Sequence, residues 1–438
     1  MVKSILIANR GEIAVRIIRA CKEMGIRSVA VYSEADESAL HVDLADDAVC
    51  IGPPDSKKSY LNIPNLVTAA VLTGCDAVHP GVGFLAENSG FARAVIAAGL
   101  HFIGPAPDVI DFLGDKVRAK QSARDADIPV IPGSEGAVSD IKQALKNAEI
   151  VGLPVMIKAA SGGGGKGIRI VREKENLEET LKIAAHEAEM AFSDGTIYME
   201  KFIEKPRHVE VQILADSTGN VVHLGERDCS VQQNHQKLVE ESPSPGVSPE
   251  MREKMCSDAV RLFKKLKYTG AGTIEFLVED GKYYFMEVNA RVQVEHPVSE
   301  LISGIDIIKE QIKTCTGGKL GFTQKDIYFN GWSVECRVNA KNPGKILQLH
   351  SPGGPGVRID SFLYPGCTVP PFYDSLVSKI IVHGADRNEC LARMSRVLDE
   401  LVIEGITTNV EMQKKIISSK QFKSGNFGTD VLEFILKE

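Results

Sequence analysis

Lys158-Ala159-Ala160-Ser161-Gly162-Gly163-Gly164-Gly165-Lys166-Gly167 is the stretch on which the fold turns. Consecutive glycines let backbone N–H groups approach an anion closely and reach positive φ without strain. Lys158 and Lys166 place positive charge on either side. By composition the loop cradles phosphate. It lacks Walker A spacing, because no Gly-Lys-Ser/Thr opens a helix. Strand-like runs bracket it instead, Pro154–Lys158 before and Gly167–Val171 after. The loop therefore reads as the tip of a flexible hairpin lid rather than as a surface linker.

Upstream of the loop, Lys116–Asp125 reads as a helix that leads into Ile128–Gly133. Earlier still, strand and helix patterns alternate. Ser4–Ala8 is a short apolar run, and Gly11–Met24 follows with Ile13, Val15, Ile17, Ile18 and Cys21 at helical spacing. Arg27–Tyr32, Asp76–His79 and His101–Ile103 read as strands; Pro64–Thr73 and Asn88–Ala98 read as helices. Such alternation predicts parallel strands with crossover helices, and residues 1–114 form one α/β domain. Downstream of the loop the pattern is antiparallel. Val209–Leu214 and Val221–Leu224 are strands, as are Thr273–Val278 and Tyr283–Asn289, joined by Glu279-Asp280-Gly281-Lys282. Residues 115–329 are α+β in character, with a lid at about 131–203. Residues 330–438 are expected to be mainly β with helices, one of them at Asn388–Leu401.

The 438 residues exceed one ordinary core. A net charge of -7, from 51 basic and 58 acidic residues, argues against a nucleic-acid partner or a polybasic membrane contact. No apolar run approaches the roughly 20 residues that span a bilayer, and the N-terminal run is too short for a signal peptide. The nine cysteines include no CxxC pair, which fits reduced thiols in a cytoplasmic protein.

Four further constellations carry chemistry. Glu275, Glu287 and Asn289 offer the oxygen ligands that a hard cation such as Mg²⁺ takes. Glu287 and Asn289 share a strand face. Glu275 joins that face only with an odd-numbered hairpin loop or a bulge, since a two-residue Asp280-Gly281 turn would pair it with Met286. Asn289-Ala290-Arg291-Val292-Gln293-Val294-Glu295-His296 packs a guanidinium fork for a small planar anion beside a carboxylate able to take its proton. Gln232-Gln233-Asn234-His235-Gln236-Lys237, with Glu240 and Glu241 nearby, is dense in groups that bind a nucleotide or anion. Glu335-Cys336-Arg337-Val338-Asn339 places an Arg on a strand-like run, which alone reads as an ion pair.

Together with Ile7-Ala8-Asn9-Arg10-Gly11-Glu12-Ile13-Ala14 and His79-Pro80-Gly81, these motifs occur in the order seen in biotin carboxylases, and the resemblance runs end to end. It implies a Rossmann-like N-terminal domain, an ATP-grasp domain with a mobile lid and a C-terminal biotin carboxylase domain. It implies an ATP-dependent ligase that carboxylates protein-bound biotin with bicarbonate through carboxyphosphate. Lys116 and Lys158 resemble its ATP phosphate ligands, with Gly163, Gly164 and Gly165 in the lid. Glu200, Lys201 and Ile203 resemble the adenine hinge, and His208, Gln232, His235 and Leu277 further nucleotide-pocket positions. Glu275, Glu287 and Asn289 resemble the Mg²⁺ or Mn²⁺ site. Lys237, Arg291, Gln293, Val294 and Glu295 resemble the bicarbonate site, with Glu295 as base. Arg337 resembles the residue that stabilises the biotin enolate.

The sequence departs from the family at three places. Val82 stands where a Tyr is usual, Gln233 and Asn234 stand where basic residues are usual, and Asn342-Pro343 runs directly into Gly344-Lys345 where a longer loop ending Pro-Ser-Pro-Gly is usual. Without an Ala-Met-Lys-Met motif, biotin is expected on a separate carrier protein or domain, with carboxyltransferase subunits as further partners. Acetyl-CoA carboxylase and fatty acid biosynthesis are one setting for such a chain. Arg16, Arg19 and Glu23 share one helix, and the last two match family positions at a homodimer interface. The competing readings are another ATP-grasp ligase, with no role for Arg337, and an ATP-binding regulatory homologue without turnover.

Overall fold

The computed structural model describes residues 2–134, 138, 141–159, 168–192, 195–234 and 236–437. The four strands read in the N-terminal pattern form, and an edge strand that the pattern did not mark, Asp47–Gly52, joins them. Strands β1 (Ser4–Ile7), β2 (Arg27–Ser33), β3 (Asp47–Gly52), β4 (Ala77–His79) and β5 (His101–Phe102) form one parallel sheet in the order β3-β2-β1-β4-β5. Strand order reverses between β1 and β4, so the loops after these two strands meet at the carboxyl edge. There Asn9 Nδ2 donates to the carbonyls of Pro80 and Val82, each at 2.8 Å. Gly81 has φ +67°, and a Cβ there would lie 2.7 Å from the Asn9 amide. Close approach therefore excludes a side chain at position 81, and the contact holds Val82 toward the interior of the molecule.

Strands β6 (Val155–Ala159), β7 (Ile168–Val171) and β8 (Ile197–Lys201) form a small antiparallel sheet in the order β7-β6-β8. Helices Ile141–Val151 and Leu177–Phe192 pack on it around a separate apolar core that includes Val155, Ile157 and Met199. The glycine run Gly162–Gly167, expected as the lid tip, lies outside the described residues, as does His235.

Strands β9 (Arg207–Ala215), β10 (Val221–Gln233), β11 (Gln236–Ser242), β12 (Gly270–Glu279), β13 (Lys282–Asn289) and β14 (Trp332–Asn339) join Leu376–Gly384 and Val357–Ser361 in one eight-stranded antiparallel sheet. Its order is β13-β12-β9-β10-β11-β14, then Leu376–Gly384, then Val357–Ser361. The boundary expected near residue 330 is thus no break in the sheet, because β11 pairs directly with β14 through Val239 and Cys336. Helix Pro249–Lys265 covers one face, capped by Ser248, whose side chain accepts from the Met251 N–H. Its buried Met255, Cys256, Ala259, Leu262 and Phe263 follow helical spacing.

Candidate active site

The site is built where β12 and β13 meet β9, β10 and β11. Asp280 and Gly281, with φ of 49° and 70°, make a two-residue turn closed by the Glu279–Lys282 pair. That turn alone would set Glu275 opposite Met286. A register shift after Glu275 intervenes: Phe276 pairs with Phe285, whereas Glu275 pairs with Glu287 and Thr273 with Asn289. The bulge absorbs Met286. It brings Glu275, Glu287 and Asn289 to the wall of one cavity of about 440 Å³. Asn289 Nδ2 donates to Glu275 Oε1 at 2.9 Å.

Lys237 is the hub of the cavity. Its Nζ lies 2.7 Å from Glu210 Oε2, 3.1 Å from Glu275 Oε1 and 2.7 Å from Glu295 Oε1. Arg337 reaches the other oxygen of Glu295, Nη2 to Oε2, at 2.9 Å. It also donates from Nε to Glu240 Oε1 at 2.5 Å. Glu210 in turn holds the fully buried Arg227, Nε to Oε1, at 2.7 Å. Burial opposes ionisation of Glu295, but Lys237, Arg337 and Arg227 outweigh it and hold this carboxyl well below the usual range. Burial equally opposes the Lys237 charge, and Glu210 and Glu295 overcome it, raising the ammonium pKa well above its ordinary value. At Glu240 burial prevails over Arg337, with Glu295 adding to it, and the pKa is pushed up to about 7.

The loop that follows β13 closes one side. Arg291 donates to Glu87 Oε2 at 2.9 Å, to Gln293 Oε1 at 2.6 Å and to Asn289 Oδ1 at 3.0 Å. Gln293 donates to Glu275 Oε1 at 3.0 Å. Val294 and Val82 line the same cavity. His208 Nε2 lies 2.7 Å from Glu275 Oε2, and Gln232 Nε2 lies 2.8 Å from His208 Nδ1. Leu277 pairs with His208 across β12 and β9.

Glu287 differs from Glu275. Among the described residues its side chain has no hydrogen-bond or ion-pair partner, and burial together with the Glu275 charge raises its pKa. Two facing carboxylates are hard-oxygen donors of the kind a divalent cation takes, and Asn289, whose Oδ1 here accepts from Arg291, would add a third by turning its amide oxygen toward them. Glu287 also lines a second cavity, of about 210 Å³, shared with Asn289 and bounded by Lys116. Farther out, Glu200 binds Lys120 at 2.5 Å and Lys158 at 2.6 Å. Burial opposes the Glu200 charge, but the two lysines hold its pKa below the usual range. The Lys201 ammonium donates to the carbonyls of Gly152 and Leu153, and Ile203 is buried.

Glu210, Arg227, Glu87 and Lys120 were not anticipated from the sequence. Glu210 had a signal: His208, Glu210 and Gln212 alternate with Val209, Val211 and Ile213. That places polar side chains on one face of a strand, and the structure buries all three.

Comparison with known proteins gives the same picture along the whole chain. Residues 1–110 match the biotin carboxylase N-terminal domain, residues 335–434 the biotin carboxylase C-terminal domain, and residues 115–323 the ATP-binding domain of the carbamoyl-phosphate synthase L chain. Biotin carboxylase 1 of Bacillus subtilis is 52% identical over 99% of this chain and 98% of its own. The chain belongs to the biotin carboxylase family. The biotin carboxylase of Pseudomonas aeruginosa is 50% identical over 99% of this chain and 98% of its own. The solved biotin carboxylase domain dimer of Hydrogenobacter thermophilus 2-oxoglutarate carboxylase, in complex with MgADP, ADP and bicarbonate, superposes with a TM-score of 0.90. It is 45% identical over 99% of this chain and 98% of its own. The family is one of ATP-dependent ligases, and no helix among the described residues is long and apolar enough to cross a membrane.

Proposed function

We propose that the chain carboxylates biotin carried on a separate protein or domain, using ATP and bicarbonate, and that the cavity around Lys237 is where both half-reactions occur. The observation that carries this reading is the single ammonium of Lys237. It bridges Glu275, on the phosphate side, and Glu295, on the acceptor side.

Arg291, with Lys237, Gln293 and Val294, holds bicarbonate through charge-assisted hydrogen bonds. Glu295 is kept ionised by Lys237 and Arg337, so it stands in the form that accepts the bicarbonate proton. Those same cations favour the doubly charged carbonate that remains. Its oxygen attacks the γ-phosphorus of ATP, the bond to the β-phosphate oxygen breaks, and ADP leaves carboxyphosphate behind. Phosphoryl transfer of this kind depends on alignment and charge neutralisation. Lys116 and Lys158 hold the phosphates, while the Gly163, Gly164 and Gly165 loop excludes water. Glu200, Lys201 and Ile203 flank the adenine; His208, Gln232, His235 and Leu277 complete the nucleotide pocket. Glu275, Glu287 and Asn289 hold Mg²⁺ or Mn²⁺, which when bound neutralises the phosphate charge. The carbon–oxygen bond of carboxyphosphate then breaks to release phosphate, which takes the ureido N–H proton as the biotin nitrogen bonds the carboxyl carbon, and Arg337 stabilises the negative charge that develops on the ureido oxygen.

A carrier protein or domain delivers biotin, and a carboxyltransferase subunit selects the final acceptor. The chain works in the cytoplasm as a C2 dimer through the face of helix Gly11–Glu23. Arg19 is exposed on that face, whereas Arg16 is buried against Glu300 and Asp306 of its own chain. Glu23 is paired with Lys309 at 2.5 Å.

Release of ADP from MgATP, with and without bicarbonate and with and without free biotin, tests the assignment. Bicarbonate-dependent release that biotin accelerates is expected. ATP cleavage indifferent to bicarbonate would overturn it.

A further inference from the structure

Lys379 lies in the strand Leu376–Gly384 with its side chain fully buried. It pairs in register with Arg337 on one side and with Asp360 on the other. Residues paired across a sheet point to the same face, so Lys379 and Arg337 leave the sheet side by side. They reach the same short segment in different ways. Arg337 takes the Glu295 side chain, whereas Lys379 Nζ donates to the main-chain carbonyl of Val294 at 2.8 Å.

That segment has no regular secondary structure between the end of β13 and helix His296–Ser303. Its geometry therefore depends on what grips its backbone and side chains. The Lys379 ammonium is held by Glu12 Oε2 at 3.1 Å and Asp360 Oδ2 at 3.9 Å. Glu12 belongs to helix Gly11–Glu23 of the N-terminal domain. Burial works against the Lys379 charge, but Glu12, Glu335 and Asp360 outweigh it, with Arg358 opposing them, so the group stays ionised. A cation this deep, ending on a carbonyl beside Glu295, is a device for fixing a backbone position.

We infer that Lys379 is a positioning residue for bicarbonate: by gripping the Val294 carbonyl it sets where Gln293, Val294 and Glu295 stand relative to Lys237. The inference rests on the reading of Arg291–Glu295 as the bicarbonate site. Lys379 itself touches no reacting atom. Its loss should weaken bicarbonate use while leaving the nucleotide side, on β8, β12 and β13, as it was.

The test is bicarbonate-dependent ADP release without biotin, read as separate KM values for bicarbonate and ATP. Lys379→Met combined with Glu12→Gln removes the carbonyl anchor together with one of its balancing charges. It should melt close to the parent and raise the bicarbonate KM about 10–100-fold, with the ATP KM unchanged, as expected when a reactant is displaced by about an ångström. Glu12→Gln alone keeps the anchor and should leave the bicarbonate KM near that of the parent. Should the double variant not fold, Lys379→Arg carries the test, since it keeps the charge, moves the donors and should still raise the bicarbonate KM. An unchanged bicarbonate KM in a folded Lys379 variant, or a parallel rise in both KM values, overturns the inference. Arg291→Gln serves as the control. If it raises the bicarbonate KM and the Lys379 variants do not, only the Lys379 role fails; if it does not, the bicarbonate assignment fails as well.

Discussion

The lid sheet and the central sheet carry similar charged residues in opposite settings. In the lid lobe, Lys174–Glu149 and Lys182–Glu178 are pairs whose side chains are all at least 54% exposed. On the central sheet and the loop that follows β13, Lys237, Glu210, Glu275, Glu295 and Arg337 form one connected cluster in which no side chain is more than 15% exposed. Water screens the first set, so each pair contributes little. The second set sits where charges act strongly on one another and cannot relax. In the proposed function the acid–base and anion chemistry therefore belongs to the central sheet and the loop after β13. The lid contributes the partly buried pair of Lys158 on Glu200, beside Lys120.

The largest break in this contrast comes from Glu295→Gln. The amide keeps the shape but not the base, so bicarbonate-dependent ATP cleavage should fall about 10²–10⁴-fold, together with biotin carboxylation. Steady-state ADP release measures it. A near-parent rate would mean that the buried cluster is structural and the base lies elsewhere.

Arg337→Gln sharpens the contrast by separating the two half-reactions. Biotin carboxylation should fall about 10²–10³-fold, as when one preorganised donor is removed, while much of the bicarbonate-dependent ATP cleavage survives. The surviving activity should also change with pH. Burial raises the Glu295 pKa, and Lys237, Arg337 and Arg227 hold it down. Loss of one of these cations leaves burial less opposed, so the carboxyl protonates at higher pH. The acid limb of ATP cleavage should move upward in pH relative to the parent. An acid limb that stays in place would show that Arg337 does not set the charge of Glu295.

Lys158→Gln probes a lid cation tied to the site. Loss of a charged hydrogen bond to phosphate should raise the ATP KM about 10–100-fold, with the bicarbonate KM unchanged. A matching rise in the bicarbonate KM would place Lys158 on the acceptor side of the cavity.

How far these roles were legible depends on the kind of signal. Alternating apolar runs marked four of the five strands of the parallel N-terminal sheet, because crossover topology leaves few choices; edge strand β3, with Ile51 its one buried residue, was not among them. Around Asp280-Gly281 the sequence left open an odd-numbered loop or a bulge, and the structure has the two-residue turn with the bulge at Met286. A bulge is decided by what packs on the strand, and here it alone turns Glu275 toward Glu287. Glu87 was out of reach for another reason. It meets Arg291 across 204 positions of sequence, which no local pattern encodes. Strand Leu376–Gly384 is buried on both faces for most of its length, so it shows no alternation to read. Helix Pro249–Lys265, by contrast, carried its cap, its proline and its periodicity in plain view and was left unassigned.

The smallest effect is expected at Lys182, and it bounds the whole comparison. Glu178 and Lys182 lie four apart on helix Leu177–Phe192, with Glu nearer the N-terminus, the favourable order for such a pair. Both side chains are exposed, at 57% and 74%. Pairs of this kind contribute about 0.3–0.5 kcal/mol, and Ala is itself a better helix former than Lys. The two terms oppose each other, so Lys182→Ala should shift the melting temperature by less than about 2 °C. Added salt should erase what difference remains, and neither KM should move. Calorimetry at low and high ionic strength measures this directly. A loss of several degrees that salt does not relieve would mean that the lid lobe depends on its surface charges, and the division between a screened lid and a charged interior would fail.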